Sequence, residues 1–325
     1  MLRYIRKRLL LLIPTVILVC VIVFALVRFI PGDAVDYMLY KLREGQQYDV
    51  TREYVEKLLG MDKPAVIQFF IWFGDVLKGN LGNSLFQNET VIHAIARQFP
   101  PTFQLGLMTI IFSICISIPL GLVCAARQDK ISDYTIKVIA LLLMSIPIFW
   151  IATLVLIYPS LWWGYVPPVQ YASIFVSPGQ NLRMFIVPAL LGACFNSGMQ
   201  LRLVRTVMLD TMRADYVRTA WAKGAGERSI MFRHAFRNAM IPVVTMIGGS
   251  IGTLITGSVV LENIFNIPGM GRQIISSLNN RDYPVAQGII LIFAIITMLV
   301  TLVIDISYKW IDPRISLDKE RRMGK

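Results

Sequence analysis

The stretch TFQLGLMTIIFSICISIPLGLVC, Thr102–Cys124, contains no acidic or basic side chain. A helix needs about 20 such residues to cross the roughly 30 Å hydrocarbon core of a bilayer. This run therefore predicts a transmembrane helix. Five further runs of comparable character flank it: Leu9–Ile30, Ile136–Tyr158, Met184–Leu203, Met240–Leu261 and Val285–Tyr308. The composition agrees, since 55% of the 325 residues are hydrophobic, 16% are charged and the mean hydropathy is +0.60. A soluble domain carries about 25% charge and could not hide runs of this length. The expected fold class is an all-α polytopic membrane protein with six transmembrane helices.

Arg3, Arg6, Lys7 and Arg8 precede the first run and give it the outline of a signal peptide. Signal peptides have an apolar stretch of about 7–15 residues and a small-residue cleavage site. Here the stretch is longer and runs into Phe29-Ile30-Pro31-Gly32, so a retained first span is expected. The net charge of +12 alternates along the chain. Arg127, Lys130 and Lys137 follow the second run, and Arg202, Arg205, Arg213, Arg218, Lys223, Arg228, Arg233 and Arg237 follow the fourth. Lys309, Arg314, Lys319, Arg321, Arg322 and Lys325 follow the sixth. The short loops between hold only Arg183, then Arg272 and Arg281. Basic residues concentrate on the cytoplasmic side, which predicts both termini in the cytoplasm. The charge reports topology, and no nucleic-acid partner is expected. Cys20, Cys115, Cys124 and Cys194 all fall within spans without metal-site spacing, which suits apolar packing.

Residues 31–100 make a long loop after the first span, expected outside because long loops cross regardless of charge. Asp49 or Thr51 can cap a helix that Gly60 ends, and Pro64 opens a second, Ala65–Leu77, rich in aromatic residues. Docking of this second helix on the outer ends of the spans is favoured over a substrate site. Trp162-Trp163-Gly164-Tyr165 with Pro167-Pro168 reads as an interfacial anchor.

The missing chemistry narrows the function. No G-x-x-x-x-G-K-[ST] phosphate loop occurs. The two histidines, His93 and His234, fall on opposite predicted sides, which excludes a histidine-based metal or catalytic cluster. Arg28, Arg202, Arg205, Glu262 and Asp305 lie near span ends, where snorkelling or the interface accommodates them. Proton- and voltage-driven machines place charges at depth, and the span centres here have none. What remains is a solute path without an engine. Asn196, Ser197 and Gln200 on the fourth span are candidates to line it, with Ser250, Thr253, Thr256 and Ser258 on the fifth. Helix packing by small polar residues is the favoured alternative for any one of them.

One connection is too specific for a generic loop: DYVRTAWAKGAGER, Asp215–Arg228, continuing to HAFRNAMIP, His234–Pro242. Asp215 suits a helix start, by capping or by complementing the dipole. Thr219, Ala220 and Ala222 leave a low-relief face. Gly224 supplies a left-handed residue that ends the helix, Gly226 allows a sharp reversal, and a second, basic helix from Glu227 leads into the fifth span. A short helix–turn–helix of this kind is shaped to dock in a groove.

The segment resembles the EAA loop of binding-protein-dependent ABC importer permeases, in the D-Y-V-R-T-A-x-A-K-G form of the oligopeptide/dipeptide permease family. Met1–Ile5 through Phe29–Asp33, Gly79–Ser84, Ser145–Trp150, Glu262–Phe265 with Pro268–Arg272, Arg281–Pro284 and Asp312–Arg314 share the resemblance, which covers essentially the whole chain. Arg218-Thr219-Ala220 stands where the general pattern has E-A-A, and His234 and Arg237 stand where isoleucine and proline are usual. Trp221 replaces a smaller or basic residue.

The resemblance implies a type I ABC importer permease fold and a single transmembrane permease domain over residues 1–325. Within it, residues 31–100 would be an extracytoplasmic insertion and residues 209–239 a cytoplasmic coupling loop. It implies that Asp215, Tyr216, Arg218, Thr219, Ala220, Lys223, Gly224, Ala225, Gly226, Glu227, His234 and Arg237 couple to an ATPase. The implied partners are a second homologous permease, two cytoplasmic ABC ATPase subunits, an extracytoplasmic solute-binding protein and membrane lipid. ATP and magnesium would sit on the ATPases, with no cofactor and no catalysis on this chain. The implied location is the plasma (inner) membrane of a bacterium or archaeon. The cargo would be peptides or similar small solutes, the spans not distinguishing these from nickel, glutathione or oligosaccharide. The residues by themselves leave a stand-alone passive channel open.

Overall fold

Apolar segments satisfy their own backbone groups only as helices, and the structure is built accordingly. The computed structural model describes residues 2–29, 35–36, 38–40, 51–58, 62–87, 89–164, 166, 168, 170–226 and 229–311. The helices are Leu2–Phe29 (α1), Arg52–Leu58 (α2), Ala65–Leu77 (α3), Val91–Ala126 (α4), Ile131–Ser145 (α5), Ile148–Trp163 (α6), Pro178–Met212 (α7) and Asp215–Ala222 (α8). A π-helical segment, Ile230–Phe236, runs into Arg237–Gly257 (α9), followed by Val259–Ile264 (α10), Met270–Asn279 (α11) and Tyr283–Ile311 (α12). No strand occurs among the described residues beyond an isolated antiparallel bridge between Asn83 and Thr90.

Among the described residues, α4, α7 and the Tyr283–Ile304 part of α12 are long and apolar enough to cross a membrane. The α5–α6 pair makes a fourth candidate if counted as one bent span, and α1 contributes the shorter apolar stretch Leu10–Leu26. The third run, Ile136–Tyr158, departs from the single helix expected, because α5 and α6 meet at 93°. Pro147 is the cause. It offers no amide proton and pushes the preceding residue out of the helical region; Ile146 stands at φ −87°, ψ 130°. The Pro147 carbonyl then restarts the ladder by accepting from Trp150 and Ile151. The fifth run is likewise divided between α9 and α10.

By internal contacts the chain divides into two compact units, one comprising Leu2–Pro100 and Arg272–Ile296. In it α3 packs on α1, with Phe24 edge-on to Phe69 at 5.3 Å and beside Trp72 at 5.7 Å. The aromatic helix thus packs on α1, the helix of the first apolar run. The Thr51 carbonyl opens α2 by accepting from Tyr54 and Val55; Asp49 and Gly60 lie outside the described residues. Gly79, at φ +79°, ends α3 by donating to Val76, while Asn80 donates to Asp75. These are the paired bonds of a Schellman turn.

The same unit holds a latch between distant segments. Ser84 Oγ donates to Asp282 Oδ2, and the Leu85 amide donates to Oδ1 at 3.2 Å. Burial pushes the Asp282 carboxyl up, against the hydrogen bonds from Ser84, Leu85 and Val285 that favour its ionised form. Because folding raises this pKa, the folded state binds the extra proton above the ordinary carboxylate range, and stability falls as pH rises through that window. The wild-type thermal midpoint, measured against that of Asp282→Asn, is therefore expected to fall from acid to neutral pH. Parallel profiles would show that Asp282 does not titrate within the fold.

The other unit comprises Pro101–Gly271 and Thr297–Lys325. One core cluster gathers Leu105, Ala152, Phe185, Ala189, Leu261 and Ile267; a second gathers Ala125, Val204, Met208, Ala235, Ala239 and Val243. Close helix approach depends on glycine. A Cβ on Gly121 of α4 would lie 2.7 Å from Val204 of α7, and one on Gly198 of α7 would lie 2.6 Å from Met144 of α5. Small residues at crossings are how helices pack where lipid competes equally for apolar surface.

Candidate functional site

Helix α8 is short and one-sided. Val217 is fully buried and anchors it, while Tyr216 and Trp221 remain 45% and 48% exposed. Asp215 occupies the first helical turn and makes no side-chain cap, so its contribution is to the dipole alone. Thr219 Oγ1 bonds back to the Asp215 carbonyl at 3.0 Å, and Arg218 lies 3.7 Å from Asp215. Gly224 adopts φ +79° as expected. Its amide donates to Trp221 at 2.9 Å and the Ala225 amide to Ala220 at 3.2 Å, which closes the helix in a Schellman turn. Gly226 has ordinary φ, and its carbonyl accepts from Ile230 at 3.1 Å. Among the described residues of the reversal, Gly224 alone is left-handed.

The return segment is helical, beginning with the π-helical stretch Ile230–Phe236; Glu227 lies outside the described residues. Asn238 Nδ2 donates to the Tyr216 hydroxyl at 2.9 Å, tying α8 to the start of α9. His234 is half-buried and Arg237 exposed, as are Lys223 and the face carrying Thr219; Ala220 and Ala225 are half-buried.

At the base of this connection lies a buried ionic hub that the sequence reading passed over. Asp133 is fully buried. Arg205 Nε and Nη2 donate to its two oxygens, each at 2.8 Å, Lys137 Nζ lies at 3.2 Å, and the Asp129 amide donates at 3.1 Å. The paired bonds from Arg205, against the cost of burial, hold the Asp133 carboxyl well below the usual carboxylate range. Arg205, expected to snorkel, is instead spent on this pair and ties α7 to the α4–α5 turn. Seventy-two residues separate the partners, so no local signal marks them.

Glu262 is also fully buried, not at an interface. Its Oε1 accepts from Thr102 Oγ1 at 2.8 Å and Ser258 Oγ at 2.7 Å, and Thr102 Oγ1 accepts the Met270 amide at 2.8 Å. Gly269 and Gly271 lie against the carboxylate so closely that a Cβ on Gly269 would collide with Glu262 and Thr102.

The candidate path residues are engaged within the helices. Gln200 is buried and its Oε1 accepts from Ser113 and Ser117 of α4, at 2.7 and 3.0 Å. Asn196 donates to the Gly192 carbonyl, Ser197 to Cys194 and Ser250 to Met246. Thr253 and Thr256 lie on α9, with side chains outside the described residues.

The family described as binding-protein-dependent transport system inner membrane component matches residues 117–317, and the N-terminal family of such membrane components matches residues 1–106. The di/tripeptide transport system permease protein DppB of Pseudomonas aeruginosa is 36% identical over 337 residues, covering 97% of this chain and 99% of that protein. The dipeptide transport system permease protein DppB of Alkalihalophilus pseudofirmus is 33% identical over 335 residues, with the same coverage of 97% and 99%. Among solved structures, the crystal structure of an amino acid ABC transporter with histidines is similar at a TM-score of 0.51 and 13% identity, over 67% of this chain and 94% of that one. That likeness concerns the fold. On these matches, the chain belongs to the family of binding-protein-dependent transport system inner membrane components and is a permease subunit of such a system.

Proposed function

We propose that this permease subunit serves an ATP-driven importer for peptides or similar small solutes, and that the α8 turn is its coupling element. The observation that carries the reading is α8 itself: anchored by buried Val217, closed by left-handed Gly224, and presenting its remaining face outward. Relatives of matching length named for di/tripeptide and dipeptide transport support the cargo class. Six spans cross the membrane as one permease domain, with both termini and residues 209–239 in the cytoplasm and residues 31–100 outside. One of two ABC ATPases seats Asp215–Gly226 in its groove, with Glu227, His234 and Arg237 behind it, and the two ATPases hold the ATP and magnesium. A second permease completes the path, a solute-binding protein delivers cargo, and the location is a bacterial or archaeal plasma membrane. Asn196, Gln200, Ser250, Thr253 and Thr256 remain the candidates for lining the path.

The test is mild-detergent purification of the tagged full chain, with mass spectrometry of what accompanies it. Wild type is expected to bring a second permease and P-loop ATPases. Ala220→Glu puts a longer, charged side chain at a half-buried position of α8, and Gly224→Trp forces a bulky residue into left-handed backbone. This variant is expected to keep the permease partner and to recover at least about tenfold less ATPase, the equivalent of roughly 1.4 kcal/mol of binding. A wild-type chain that purifies without ATPase, or a variant that retains it, would sink the coupling role.

A further inference from the structure

Between α6 and α7 lies a cavity of about 230 Å³. Val155, Leu156 and Pro159 line it from one face of α6; Arg183, Met184, Val187 and Pro188 line it from one face of α7. Two in-helix prolines explain the gap. Each deletes a ladder hydrogen bond and its ring crowds the preceding turn, so the facing turns do not close on each other.

The walls are apolar apart from Arg183, which is the one charged residue between Val138 and Leu201. Its side chain is exposed, and no carboxylate pairs with it among the described residues. Beside the cavity, Tyr158, Leu161, Trp162 and Trp163 of α6 are exposed. Aromatic rings with one polar edge settle at headgroup level. A peptide would lose its backbone hydrogen bonds among walls of Val, Leu, Met and Pro; an acyl chain loses nothing there.

We propose that the cavity seats an acyl chain of an anionic phospholipid whose phosphate pairs with Arg183, at the level of the Trp162–Trp163 pair. The inference rests on the membrane-spanning reading above. Moving an acyl chain from bulk lipid into the cavity gains little, because both surroundings are hydrocarbon. Selection therefore acts on the headgroup, through charge-assisted hydrogen bonds from the guanidinium to phosphate.

The full chain, with the partners that co-purify, is placed in nanodiscs of equal phosphatidylglycerol and phosphatidylcholine, and the retained lipid is read by native mass spectrometry. Phosphatidylglycerol is expected to be retained about tenfold over phosphatidylcholine, the size of one hydrogen bond to a charged group. Arg183→Gln, at an exposed position, is expected to assemble normally and lose that preference. Val187→Trp, which fills the cavity, is expected to lose both lipids. Equal retention by wild type, or an unchanged preference in Arg183→Gln, overturns the proposal. So does a photo-reactive side chain at position 187 that captures a protein chain in place of lipid. A chain that enters no nanodisc at all would count against the membrane-spanning reading itself.

Discussion

Asp133→Ala is expected to lower the stability of the permease by about 3 kcal/mol or more, as removal of one member of a buried ion pair does. The mechanism is the charge left behind. Arg205 keeps only 18% side-chain exposure and would lose both short bonds at once, while Lys137, at 31%, can turn to solvent. The Asp129 amide, in a turn whose own φ is +60°, would lose its acceptor as well. Arg205→Lys should cost less, because a lysine keeps the charge and gives up the bidentate geometry. The measurement is the thermal midpoint of detergent-solubilised protein, with Asp133→Asn as the intermediate case. If alanine and wild type melt alike, the pair contributes nothing net, and the α4–α5 turn is held by its apolar contacts alone. Acid should not mimic the mutation across the physiological range, since the carboxyl stays ionised well below the ordinary carboxylate pKa.

Gly269→Ala is the second large expected effect, about 2–4 kcal/mol, from overpacking a site that cannot yield together with displacing a hydrogen-bonded buried carboxylate. The new methyl would meet Glu262 and, at 2.6 Å, Thr102 Oγ1, the atom that also receives the Met270 amide. One methyl thus disturbs the bonds that join Ser258, Glu262, Thr102 and the Met270 amide. A double-mutant cycle checks the assignment. Glu262→Ala removes the obstacle, so the pair should cost clearly less than the two single changes added. Strict additivity would mean that the loop moves aside and the carboxylate is not what Gly269 accommodates.

Much of this could be read from the chain alone, for identifiable reasons. Long apolar runs specify helices because nothing else satisfies their backbone, and Thr102–Cys124 lies wholly inside α4. The Gly224 turn was legible because a left-handed residue after a short helix leaves few alternatives to glycine. Ala65–Leu77 was legible because Pro64 marks its start and Gly79 lies just past its end. The bend at Pro147 could have been read, since proline in an apolar run breaks a helix, but hydropathy alone sums across the break. Asp133 with Arg205, and Glu262 with Thr102, were not legible. Their partners lie 72 and 160 residues apart, and a charged residue at a span end looks the same in sequence whether it meets water or a buried mate.

The elbow at Pro147 restricts what can stand beside it in a bilayer. Neither α5 nor α6, of 15 and 16 residues, is long enough by itself to cross the hydrocarbon. Where they join, proline offers the Leu143 carbonyl no proton. A lipid tail offers none either, and an unserved backbone group in hydrocarbon costs several kcal/mol. On the reading that α5 and α6 cross as one bent span, the elbow needs shelter from protein or water, and pure lipid would leave that carbonyl unserved.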